Sequence, residues 1–185
     1  SRAPAARRPA AEPLAYLVGR QGFMHLAVRV DARVLVPRPE TEGLVERALD
    51  RLRPGAGGRR VLELGTGSGA AALALLHAEP GLVVVATDRS AGALAVAAAN
   101  RDEAAALLGL AGDQLELLLG DWYEALEAGT QPFDVVLSNP PYVAEGERHL
   151  MTPETAWEPR EALFSGPDGL EDLRREEEEE GELHV

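Results

Sequence analysis

Between residues 61 and 138 four short apolar runs, at 61–64, 83–87, 115–119 and 135–138, alternate with stretches that read as helices. Strands separated by helices pair in parallel rather than as hairpins. Right-handed crossovers then build an open, mainly parallel, doubly wound α/β sheet. The first run leads through a glycine loop into a helix from Ala70 to His77, and the second into a helix over 91–108 that Ser90 is placed to cap. The third breaks at Gly120-Asp121. Ahead of this core, residues 23–36 alternate loosely around Asp31-Ala32-Arg33 and predict a short hairpin with its turn there. Pro37-Arg38-Pro39-Glu40-Thr41-Glu42 then opens a helix, proline first and acids in the first turn, which ends before Pro54-Gly55. Residues 143–168 read as a long polar loop, after which Asp168 is expected to cap a last helix running into the glutamates of 176–180.

The chain accordingly divides into three parts. Residues 1–13, rich in Ala, Arg and Pro without periodicity, are expected to be a linker or the remnant of an upstream domain. Residues 14–53 supply the hairpin and helix that lead into the core, and residues 54–185 form the ligand-binding domain. An open sheet whose last strand is followed by one loop and one charged helix keeps an edge that is normally covered, so further C-terminal strands are expected. The glutamate run reads as a solvated helix end, an acidic tail or a seam where intervening residues are missing.

Composition excludes several classes of function. A formal net charge of −13 argues against stable binding of duplex nucleic acid, which needs clustered Lys and Arg. The chain has no cysteine, and its four histidines are scattered at 25, 77, 149 and 184, so neither thiol chemistry nor a metal site is expected. No apolar run approaches the ~20 residues that span a bilayer, and no signal-peptide pattern is visible, which places the chain in the cytoplasm as an expectation.

Four constellations carry chemistry. In Gly65-Thr66-Gly67-Ser68-Gly69, between a strand and a helix, absent side chains let a nucleotide-like ligand approach the backbone. Gly65, Gly67 and Ala70 also satisfy the G-x-G-x-x-G/A dinucleotide pattern, so two cofactor types compete on equal terms. Asp88, about 20 residues on, can accept from a ribose diol. At Asp121-Trp122 the acid can accept from an adenine amino group and the indole can stack on a purine. Finally, Asn139-Pro140-Pro141-Tyr142 directly follows the strand of 135–138, at the carboxyl edge where open sheets bind ligands. Two prolines stiffen the loop, while the Asn139 side chain and the Pro140 carbonyl offer two acceptors to one planar NH2 group beside the Tyr142 ring.

At these residues the sequence resembles the N5-glutamine methyltransferases that modify peptide-chain release factors, the HemK/PrmC family. The resemblance runs over about residues 13–175 and is carried by Val34-Leu-Val-Pro-Arg-Pro-Glu-Thr-Glu42, Leu62-Glu-Leu-Gly-Thr-Gly-Ser-Gly69, Asp121-Trp122, Ser138-Asn-Pro-Pro-Tyr-Val143 and Trp157-Glu-Pro159 leading to Gly166-Pro-Asp-Gly-Leu170. It implies a class I S-adenosylmethionine-dependent, Rossmann-like methyltransferase fold that lacks its C-terminal strands, and an N-terminal helical recognition domain that is not represented. It further implies that Gly65, Thr66, Gly67, Ser68 and Gly69 surround the methionine part of S-adenosylmethionine, with Asp88 at its ribose and Asp121 and Trp122 at its adenine. Asn139 would also face the cofactor, and Asn139, Pro140, Pro141 and Tyr142 would hold the substrate glutamine, with Asn139 and Pro140 as the catalytic pair. The product would be S-adenosylhomocysteine, and the partner the Gly-Gly-Gln loop of a release factor. Competing readings are an adenine N6-methyltransferase acting on DNA or RNA, an NAD-dependent dehydrogenase, which leaves the NPPY tetrapeptide without a task, and an inactive cofactor-binding module.

Overall fold

The computed structural model describes residues 11–52, 58–111 and 113–182. Expectations for residues 1–10 and for the Pro54-Gly55 helix stop lie outside the described residues. In chain order the elements are α1 (Leu14–Val18), β1 (Arg20–Phe23), β2 (Leu26–Arg29), α2 (Pro39–Arg51), β3 (Arg60–Leu64), α3 (Ala70–Ala78), β4 (Val83–Asp88), α4 (Ala91–Leu108), β5 (Leu115–Leu119), β6 (Val135–Ser138) and α5 (Glu171–Glu182), with short 3₁₀ turns between β5 and α5.

The four apolar runs form one parallel sheet in the order β5-β4-β3-β6. From β3 the chain moves outward to β4 and β5, then returns to the other side of β3 as β6. Right-handed crossovers in one direction put their helices on one face, and reversing the direction moves the connection to the other. Accordingly α2, α3 and α4 share a core with the β1–β2 hairpin through Val45, Leu73, Leu75, Leu76, Val96, Phe23 and Val28. Helix α3 is buried on every side, as an Ala/Leu helix must be to be stable. The opposite face of β3 and β4 buries Leu62, Leu64 and Val85 against Trp122 and Tyr123 of the 3₁₀ turn Trp122–Ala125, on which α5 packs.

Three expectations need correction. The hairpin lies at 20–29, its turn at Met24-His25 rather than at Asp31-Ala32-Arg33. Met24 takes the left-handed region at φ 47°, and its N–H donates to the Glu42 carboxylate at 2.8 Å, so α2 supplies the anchor that the turn sequence lacks. The Asp31 turn exists, closed by Val34 N–H to the Asp31 carbonyl, but it links β2 to the segment leading into α2. Secondly, a short helix, α1, precedes the hairpin, ended by Gly19 in the left-handed region. Thirdly, Asp168 does not cap α5: it accepts from Leu170 N–H and pairs with Arg174, while Ser165 Oγ accepts from Asp172 N–H at 2.7 Å in the first turn. The expected Ser90 cap on α4 is present, Oγ accepting from Ala93 N–H.

The polar loop after β6 folds back on itself. Val143 N–H donates to the Leu163 carbonyl and Ser165 N–H to the Val143 carbonyl, both at 3.0 Å. No helix among the described residues is long and apolar enough to cross a membrane.

Candidate active site

Adjacent strands whose connections run in opposite directions leave a crevice beyond their carboxyl ends. Here those strands are β3 and β6, and Leu64 pairs in register with Ser138. The glycine loop and the NPPY tetrapeptide therefore leave the sheet at the same level.

Gly65, Gly67 and Gly69 all have positive φ, at 69°, 56° and 78°. A Cβ at Gly65 or Gly67 would meet no protein atom within 4 Å, whereas one at Gly69 would touch Ala97 Cβ at 3.3 Å. Gly69 serves close packing of α3 on α4, while Gly65 and Gly67 are required by backbone conformation next to open space. The loop is tied to β4: Thr66 N–H donates to the Thr87 carbonyl at 2.9 Å, and Gly67 N–H to one Asp88 oxygen at 2.8 Å. The other Asp88 oxygen accepts from Ser90 N–H at 2.8 Å. Burial raises the Asp88 pKa above the usual carboxylate range, against the opposing pull of those two N–H groups.

Glu63 was not singled out from the sequence, yet it is buried in the wall of the cleft at 6% exposure. Its Oε2 accepts from Thr66 Oγ1 at 2.7 Å and from Ala72 N–H at 3.1 Å. Burial pushes its pKa up to about 7, the neighbouring Asp88 charge adding to the effect. The available signal was a carboxylate inside an apolar run destined for a strand covered on both faces.

Asp121 lines the cleft and pairs with Arg175 of α5 at 2.5 Å. Trp122 also lines it, is 8% exposed, packs on Leu62, Leu64 and Val85, and holds φ at 47°, a conformation that costs a non-glycine residue energy. Its buried indole N–H has no hydrogen-bond partner among the described residues. Core packing and a place in the cleft wall thus coexist in one side chain.

Asn139, Pro140 and Pro141 line the same cleft, whereas Tyr142 is 60% exposed and lies outside its wall. Asn139 Nδ2 donates to Thr41 Oγ1, in the first turn of α2, at 3.0 Å. Across the rim, Arg38 pairs with Glu158 at 2.5 Å, and Glu158 also accepts from Val36 N–H at 3.1 Å. Burial raises the Glu158 pKa, opposed first by the Arg38 charge. This pairing clasps the 143–168 loop to the segment before α2.

The cleft opens to solvent and is lined together by the glycine loop, Asp88, Trp122 and Asn139, a concave site at the carboxyl end of the sheet. A carboxylate with spare lone pairs at Asp88, an unpaired buried indole N–H and unobstructed glycine backbone fit S-adenosylmethionine. Asn139 and Pro140 line the same cleft at the end of β6, on the side of β3 away from β4.

Comparison with known proteins agrees with this geometry. The family model described as "Methyltransferase small domain" matches residues 43–164. A protein of Xylella fastidiosa named release factor glutamine methyltransferase is 50% identical over 162 residues, covering 88% of this chain and 56% of that protein. One of the same name from Bordetella pertussis is 47% identical over 171 residues, covering 92% of this chain and 60% of its own length. The chain therefore spans a little over half the length of these curated relatives. Among solved structures, the delta-N METTL16 MTase domain superposes with a TM-score of 0.60 at 18% identity, over 84% of this chain and 64% of that one. At that identity the likeness concerns the fold, which is the class I, Rossmann-like methyltransferase architecture. With the cleft at the β3–β6 switch point and the family model spanning the glycine loop and the NPPY tetrapeptide together, the chain belongs to the methyltransferase small domain family.

Proposed function

We propose that the protein transfers a methyl group from S-adenosylmethionine to the side-chain amide nitrogen of a glutamine in a peptide-chain release factor. The observation that carries this reading is the Asn139 carboxamide standing in one cleft with the glycine loop and Asp88, at register-matched strand ends. The names of the relatives from Xylella fastidiosa and Bordetella pertussis support the choice of glutamine over adenine as acceptor.

S-adenosylmethionine, when bound, supplies a methyl group activated by a sulfonium charge and leaves as S-adenosylhomocysteine, while the methylated nitrogen gives up one proton to water. The protein aligns the acceptor. An amide nitrogen is a weak nucleophile because its lone pair is shared with the carbonyl, so placement dominates over acid–base assistance. Asn139 Oδ1 and the Pro140 carbonyl accept from the substrate NH2, and these bonds strengthen as positive charge develops on nitrogen. Asp88 would hold the ribose of the bound donor, and Asp121 and Trp122 would bound its adenine. Pro140 and Pro141 remove backbone freedom from the loop that bears the acceptors.

The test incubates the protein with isotopically labelled S-adenosylmethionine and an intact release factor, then locates the label by peptide mass. Label on the glutamine of the Gly-Gly-Gln loop, absent when that glutamine is changed to asparagine, is the expected result. Label on adenine-containing oligonucleotides and none on the factor would overturn it.

A further inference from the structure

The segment from Pro37 to Glu42 is the most distinctive stretch of the sequence, yet nothing in the proposed chemistry uses it directly. In the structure its polar side chains form a brace. Arg38 pairs with Glu158, and Glu42 accepts from Met24 N–H. Pro39 occupies the first turn of α2, where its fixed φ suits a helix start. Thr41 stands on this braced turn and reaches across 98 residues of sequence to accept from Asn139 Nδ2 at 3.0 Å.

We infer that Thr41 is a positioning residue, holding the Asn139 carboxamide with its oxygen turned to the acceptor nitrogen. This rests on the amide-methylation reading above. A carboxamide has an acceptor end and a donor end, and its terminal torsion is broad and nearly two-fold, so an unheld Asn139 presents either end with little preference. Only the oxygen end can receive a substrate NH2; the other opposes donor with donor. By taking a hydrogen from Nδ2, the Thr41 hydroxyl leaves Oδ1 free, and this is the one hydrogen bond of the Asn139 side chain among the described residues. The hydroxyl can also donate to a flipped amide. With an NH2 group in the cleft, however, the oxygen-out arrangement is the one in which Thr41, Asn139 and substrate are all satisfied. The brace keeps Thr41 from following Asn139.

Thr41→Val keeps the shape and removes the hydroxyl; Thr41→Ser keeps the hydroxyl. Methyl transfer to a release factor is measured for each variant, alone and combined with Asn139→Ala. Thr41→Val is expected to lower kcat about tenfold, the upper range for one lost hydrogen bond, with S-adenosylmethionine affinity within about twofold. Thr41→Ser should recover to within about threefold of the parent, and in the Asn139→Ala background Thr41→Val should cost nothing further. An equal loss in that background, or an unchanged kcat, overturns the assignment. A second measurement does not need turnover. The side-chain NH2 resonances of Asn139, assigned by their disappearance in Asn139→Ala, should shift and exchange faster with solvent in Thr41→Val but not in Thr41→Ser. Unmoved resonances in Thr41→Val overturn the inference on their own. Absence of methylation by the parent protein would instead remove the functional reading.

Discussion

Asn139 and Asp88 stand at the ends of strands on either side of β3 and line one cleft, so substitutions there should fail in different ways. On the proposed mechanism, Asn139→Ala removes an acceptor whose hydrogen bond tightens only as the reaction proceeds. Single-turnover transfer should slow by at least about 10²-fold with cofactor affinity within a few-fold. Near-normal turnover would take Asn139 out of the mechanism. Asp88→Ala should weaken cofactor binding by about 1.5 to 3 kcal/mol, the range for hydrogen bonds to a charged acceptor, as read by calorimetry. Unchanged affinity would leave Asp88 a purely internal tie for Gly67 and Ser90. Glu63 has a folded pKa of about 7, above its ordinary value of 4.5, so folding favours its protonated form. Its contribution to stability is full below about pH 4.5 and is lost as pH rises through about 7. Glu63→Gln keeps an oxygen for Thr66 and Ala72 without the charge. In thermal unfolding from acid to neutral pH, the parent should lose ground steadily against this variant. Parallel curves would show that Glu63 does not titrate in that window.

At the scale of elements, the turn that follows β6 is pressed from behind by Gly169, at φ 76° in the loop before α5. A Cβ there would lie 2.6 Å from the Tyr142 carbonyl oxygen and 3.0 Å from Ala144 N. Gly169→Ala therefore meets both backbone strain and a clash, and should cost about 1 to 3 kcal/mol of stability in denaturant titration while slowing transfer. A variant as stable as the parent would mean that this loop yields freely. The parallel strands were legible because strands buried on both faces read as continuous apolar runs bounded by glycine and aspartate. The hairpin turn was not, since Met24-His25 has no turn chemistry and is held by Glu42 from another element. The glycine loop and the NPPY tetrapeptide announced themselves through backbone demands that few residue types meet. Pairs made by packing left no local trace: Asp121 with Arg175, Thr41 with Asn139 and Arg38 with Glu158 all depend on register and crossover direction. Tyr142 adjoins the site in sequence, but its direction at the end of the turn puts it outside the cleft wall.

For the chain as a whole, we propose that a formal charge of −13 favours docking of a basic protein over a phosphate backbone. If the release factor presents basic residues beside its Gly-Gly-Gln loop, the KM for intact factor should rise between about 50 and 200 mM salt. The KM for a short loop peptide should change little over that range. Salt-independent KM for both would show that net charge plays no part in docking. The clasp between Arg38 and Glu158 joins residues 120 apart in sequence, and the Thr41–Asn139 contact closes a span nearly as long. Contacts between such distant residues form late, because the loop between them must be closed before they give anything back. During synthesis the first turn of α2 emerges long before its partners and waits through four further strands. A nascent chain that has reached β5 has its glycine loop and Asp88 but nothing for Thr41 to hold. The cleft is therefore completed only when Trp122 and Asn139, which follow β5 in the chain, have been made, late in the birth of the protein.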